Sequence, residues 1–167
     1  MKILKIVGAI ILTAILVTLD QWAKVFATNN LMGRADRVLI DYVLSLTYHR
    51  NAGAAFGIFQ GGRWAFLVLA VIIMVAIAIY YVKLPHNRVY DAIRISLILI
   101  AAGGIGNSID RLLNGFVVDF LRFDFINFPI FNVADIYVVT GTILLAIVVI
   151  FFIKDEKPEQ KEDTVNE

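Results

Sequence analysis

From Trp64 to Val82 the chain runs for 19 residues without a charged side chain. A helix rises about 1.5 Å per residue, so a run of this length crosses the hydrocarbon of a bilayer, about 30 Å thick. Three more runs have the same character, with their charges confined near the ends, and together they predict helices near residues 3–26, 64–82, 92–113 and 136–153. Apolar residues make up 60% of the 167 positions and charged residues only 17%, with a mean hydropathy of +0.81; a soluble domain carries about a quarter charged. The fold class expected is therefore mainly α and integral to a membrane, with one membrane domain over residues 1–154. The first run follows Lys2 and Lys5 as a leader would. It reads as a span because no small-x-small cleavage site follows and the stretch continues into Asp20, Gln21 and Trp22. The segment 155–167 is charged and interrupted by a proline, which predicts a disordered tail.

Four spans place both termini on one side. The lysines at 2, 5, 83, 154, 157 and 161 fall on that side with Arg88 and Arg94, against Lys24 and six arginines on the other, so the lysine bias favours a cytoplasmic placement by the positive-inside tendency. Trp22 and Trp64 then mark the outer interface, and Tyr80, Tyr81 and Tyr90 the inner one. A net charge of +1 with dispersed basic residues gives no field for a nucleic acid, and no nucleic-acid partner is expected. The chain has no cysteine, and His49 and His86 are its only histidines, on segments predicted to lie on opposite sides of the membrane. Disulfides, thiolate chemistry and a zinc site are disfavoured.

The connection between the first two spans, about 28–62, is too long for a turn. Leu44, Leu46 and Tyr48 alternate with Ser45, Thr47 and His49, the period of a strand with one apolar face. With Arg37 to Tyr42 it predicts a small extracytoplasmic sheet, a β cradle whose apolar side rests either on lipid or on a substrate.

Acids then single out one face of the membrane. Asp20, Asp110, Asp119 and Asp135 all lie beside outer ends of predicted spans. Asp20 and Lys24, four apart, share a helix face and pair in the favourable order. Gly103, Gly104 and Gly106 permit a close backbone approach, and Asn107, Asp110 and Arg111 beyond them form a polar face that is costly in a membrane unless paired. Asn132 reads as an N-cap with Asp135 at the third helical position, where the helix dipole favours a carboxylate. Capping alone would explain Asp135. It would not explain Asp119, set between valines and a phenylalanine. If the loop folds back, the two carboxyls share one proton, and one can activate water while the other protonates a carbonyl. Which acid is the base stays open. Ser45, Ser96 and Ser108 lack a histidine nearby, and neither Gly-x-Ser-x-Gly, His-Glu-x-x-His nor Gly-x-Gly-Asp occurs.

The segments Asp20-Gln21-Trp22-Ala23-Lys24, Asn51 to Gly57, Gly103 to Arg111, Val117 to Phe120 and Phe131 to Asp135 resemble, in order, the motifs of the lipoprotein signal peptidases, the bacterial signal peptidase II family. This resemblance implies an aspartic endopeptidase of the bacterial cytoplasmic membrane. Such an enzyme cleaves diacylglyceryl-modified prolipoproteins on the amino side of the lipidated cysteine and is inhibited by the cyclic peptide globomycin. It implies Asp119 and Asp135 as the catalytic pair and Asn51, Gly53, Gly103, Asn107, Arg111 and Asn132 as residues around the substrate. Asp20 and Lys24 would support them, and Asp110 would bond near Arg111. No metal or organic cofactor is implied. A channel or transporter half would spread its acids through the depth of the helices, and a purely structural assembly factor would use them only as caps and pairs.

Overall fold

A computed structural model describes residues 2–53, 61–85 and 87–152. The elements run α1 (Lys2–Leu31), β1 (Arg37–Ile40), β2 (Leu44–Asn51), α2 (Arg63–Lys83), α3 (Arg88–Asn114), β3 (Val117–Phe123) and α4 (Val133–Phe152). All four helices are long and apolar enough to span a bilayer. None of the residues of α2 is buried within the protein, and it turns Val68, Leu69, Val71, Ile72 and Val75 outward. Such a surface suits hydrocarbon and not water.

Helix α3 is the centre of the bundle, with α1, α2 and α4 packed around it. Its glycines set the spacing. A Cβ on Gly103 would lie 2.3 Å from the backbone oxygen of Ala134 in α4, and one on Gly106 would lie 2.5 Å from the Asp20 carboxylate of α1. The bare backbone of α3 is thus what lets two neighbours approach at the end of the bundle that carries Asp20 and Asp135. At the opposite end Arg94, buried, donates to the carbonyls of Leu84 (2.7 Å) and Pro85 (2.9 Å) just past α2 and pairs with Asp91 (2.8 Å). Asp91 also holds Lys5 of α1 at 2.6 Å. A charge that by hydropathy should have shortened this helix is fully occupied inside it, so α3 begins at Arg88, capped by Asn87, rather than near residue 92.

Two further differences from the sequence expectation, in α1 and in the sheet, have a physical reason. Helix α1 continues past residue 26 to Leu31 because Ala27 and Leu31 bury themselves against Val118 and Phe120, so a segment assigned to the cradle is the last turn of the helix. The sheet has three strands in the order β1-β2-β3, all antiparallel. The third comes from the α3–α4 connection and pairs Leu44 with Phe123 and His49 with Asp119. Gly115, at φ +85° and bonded back to Arg111, turns the chain from α3 into that strand. Within the expected cradle, residues 54–60 lie outside the described residues, as does the tail from 155 to 167.

Candidate active site

Asp119 sits midway along β3 and is 1% exposed, flanked by the buried Val117, Val118 and Phe120. Its carboxyl accepts from the side-chain amides of Asn51 (2.9 Å) and Asn132 (2.6 Å). Asp135 stands in the first turn of α4. There Asn132 accepts from the Asp135 backbone N–H with its side chain (3.0 Å), while Asp135 accepts from the Asn132 backbone N–H (3.0 Å). This reciprocal box satisfies two orphan donors of the helix start and fixes the carboxylate's rotamer. The second Asp135 oxygen accepts from Asn107 of α3 at 2.8 Å, and Asn107 in turn accepts from Asn132 at 3.2 Å. Asn132 therefore touches both acids and the amide that links them to α3.

The remaining residues singled out by sequence fall around this centre. Asn51 accepts from the backbone of Gly53 (3.0 Å), and Arg111 donates to the Gly53 carbonyl (3.1 Å) with its guanidinium 4.8 Å from the Phe66 ring. Asp20 and Lys24 pair at 2.9 Å, both buried. Asp110 bonds elsewhere than expected: it pairs with Lys24 (3.3 Å) and accepts from the Val118 backbone N–H (3.0 Å), while Arg111 turns the other way, to Gly53. The reason is geometric, since residues 110 and 111 are about 100° apart on a helix and cannot share a partner easily. Gln21 was not singled out on its own. It donates to Asp20, to Asp110 and to the Gly106 carbonyl, so one amide joins α1 to α3. Its place inside the Asp20 to Lys24 motif was the available signal.

Asp119 and Asp135 both open onto a cavity of about 470 Å³. Its lining brings Asn51, Asn107, Arg111 and the two acids together with the apolar side chains of Phe128, Pro129, Phe131, Ile136 and Val139. The phenylalanines at 123, 128 and 131 pack on one another with ring centres 5.0–5.9 Å apart and all three line the cavity. Burial pushes the Asp119 carboxyl up to about 7, the Asn51 hydrogen bond opposes that, and the Asp135 charge adds to it. Near neutral pH it can therefore hold or release a proton. Two carboxyls opening onto one largely apolar cavity, one of them able to carry a proton near neutral pH, form an arrangement that can activate water by general acid–base chemistry.

Fold and site together define a multi-pass membrane protein with a carboxyl-lined cavity at one end of its helix bundle. The family model for signal peptidase (SPase) II matches residues 12–151. A lipoprotein signal peptidase of Clostridioides difficile (strain 630) is 40% identical over 143 residues, covering 86% of this chain and 95% of the relative. One of Streptococcus agalactiae serotype Ia is 44% identical over 137 residues, covering 82% and 88%. A solved bacterial membrane enzyme superposes with a TM-score of 0.78 at 32% identity over 90% of this chain and 93% of its own. A second structure of that description gives 0.77. The chain belongs to the signal peptidase II family. It is an enzyme, a peptidase carried on several membrane spans.

Proposed function

We propose that this protein removes signal peptides from diacylglyceryl-modified prolipoproteins at the outer face of a bacterial cytoplasmic membrane, with both termini in the cytoplasm, cutting on the amino side of the lipidated cysteine. The observation that carries the reading is the joint opening of Asp119 and Asp135 onto one cavity that is otherwise lined largely by apolar side chains. In the proposed reaction the dyad holds one proton and one water. The ionised carboxylate takes a proton from the water as its oxygen attacks the scissile carbonyl, and the protonated partner donates to the carbonyl oxygen, which gives a gem-diol. The carboxyl that took the water's proton then gives it to the leaving nitrogen while the other carboxylate takes a proton from a gem-diol hydroxyl, so the C–N bond breaks, the new carboxyl group forms and the pair is left singly protonated. The cavity's apolar side chains accommodate lipid-bearing substrate, and Arg111, holding the Gly53 carbonyl, is among its polar ones. Water and two acids suffice, so the chemistry calls on no cofactor.

The test is purified protein incubated with the same prolipoprotein in diacylated and unmodified forms. Release of the signal peptide from the diacylated form, blocked by globomycin, is the expected result; equal cleavage of the unmodified form, or none of either, would refute the reading.

A pH profile follows. Loss of the dyad's last proton ends activity, so the rate should fall as pH rises through about 7, where Asp119 ionises. The hydrogen bond from Asn51 favours the ionised form of Asp119. Asn51→Ala therefore raises the carboxyl further, and the alkaline limb of the pH–rate curve should move to higher pH. An unmoved or lowered limb would break this link.

A further inference from the structure

Lys24 lies on α1, 3% exposed, with no place on the cavity wall. Its ammonium has three hydrogens and meets three acceptors: Asp20 at 2.9 Å, Asp110 at 3.3 Å and the Asn107 side-chain oxygen at 2.9 Å. Each of those acceptors leads to the dyad by a different route. Asp20 accepts from the backbone N–H of Ala134 (2.9 Å), the residue before Asp135. Asp110 accepts from the backbone N–H of Val118 (3.0 Å), the residue before Asp119. Asn107 donates to the Asp135 carboxylate itself (2.8 Å). Helix α4 and strand β3 thus hang from one buried cation, each by the peptide group that precedes its acid.

The same cation fixes the polarity of the amides. An ammonium can only donate, so it takes the oxygen side of Asn107 and leaves the N–H side for Asp135. The Asn107 oxygen also accepts one hydrogen from Asn132, whose other hydrogen meets Asp119 at 2.6 Å. With Asn51 and the Asn132 backbone N–H, each of the four oxygens of the dyad then faces a donor on the protein side. Among the described residues no protein acceptor is hydrogen-bonded to these four oxygens, which leaves the proposed catalytic proton to the cavity.

We propose that Lys24 is the positioning residue of the dyad: by holding Asp20, Asp110 and Asn107 together it sets the separation of Asp119 and Asp135 and the direction of the amide bonds that reach them. This rests on the reading of those two acids as the catalytic pair. The simpler role for Lys24 is neutralisation of two buried carboxylates, and the two roles separate in a charge-balanced variant. Lys24→Met/Asp110→Asn keeps the cluster's single net negative charge, because one ammonium and one carboxylate leave together. It removes the donor while Asn at 110 can still accept from Val118.

The measurement is steady-state cleavage of a diacylglyceryl-modified prolipoprotein in detergent, per monodisperse protein, for the wild type, Asp110→Asn, Lys24→Met/Asp110→Asn and Lys24→Arg. A misplacement on the order of 1 Å costs about 100-fold in rate. The double variant should therefore lose about 100-fold in kcat relative to Asp110→Asn with KM within about 3-fold, since no substrate contact is touched. Recovery of the double variant to within about 10-fold of Asp110→Asn, or a loss borne by KM, would overturn the assignment. Lys24→Arg keeps a donor-only cation and should retain kcat within about 10-fold. If the double variant does not fold, a folded but inactive Lys24→Arg overturns the assignment by itself. A wild type that leaves the lipidated substrate uncut would instead sink the proposed function.

Discussion

Asp135→Asn and Asp119→Asn are each expected to lower signal-peptide release by about 10⁴-fold or more while leaving the helices folded, and the double variant should lose little beyond either. The geometry is the reason. Asn at 135 can still accept from the Asn132 backbone and keep the helix start in place, and Asn at 119 fills the same volume between Val118 and Phe120, but neither amide can take up or give the proton that the proposed pair passes between water, carbonyl and leaving nitrogen. Groups that act as a unit give such non-additive losses, whereas independent contributions would multiply. Mass spectrometry of product over time, with circular dichroism as the folding control, decides it. A single variant within tenfold of wild type would remove that residue from the mechanism.

The second large effect is expected at Gly103. Its added Cβ in Gly103→Ala would stand 2.3 Å from the Ala134 carbonyl oxygen and 2.6 Å from a Val138 methyl, with rigid helix on both sides. Helix α4 must shift, at about 3 kcal/mol of stability, and its first turn carries Asp135 with it, so activity per folded molecule should fall as well. Gly104→Ala provides the contrast. Its Cβ meets the Met74 methyl at 2.7 Å, the far end of a flexible side chain that can swing away, and the cost should stay under about 1 kcal/mol. Thermal unfolding of both variants in one detergent measures the difference, and equal melting temperatures would contradict the close approach of α3 and α4.

Much of this was legible from residue order, and the exceptions have a common cause. Spans are long, local and periodic, so the uncharged run ahead of Lys83 identified α2 directly. The cap of α4 was legible because Asn132 and Asp135 sit three apart, and the Asp20–Lys24 pair because four residues make one helical turn. Strand β3 was not. Val117 to Phe120 is buried throughout, so the apolar-polar alternation that reveals β2 is missing, and pairing His49 with Asp119 is a contact between residues 70 apart. The same distance hid the partner of Asp110, which lies on α1 and not beside it in sequence. That the two acids share a cavity depends on β3 turning back over the bundle. The motifs could suggest that return only by resemblance.

The most direct test of the shared proton is infrared titration of the purified protein, following the C=O stretch that only a protonated carboxyl gives. A protonated carboxyl that persists well above pH 5, titrates near 7 and disappears in Asp119→Asn is the result required by a buried dyad holding one proton. If every carboxyl of the wild type is ionised above about pH 5, as for ordinary aspartates, the two acids share nothing and the hydrolysis proposed for them fails.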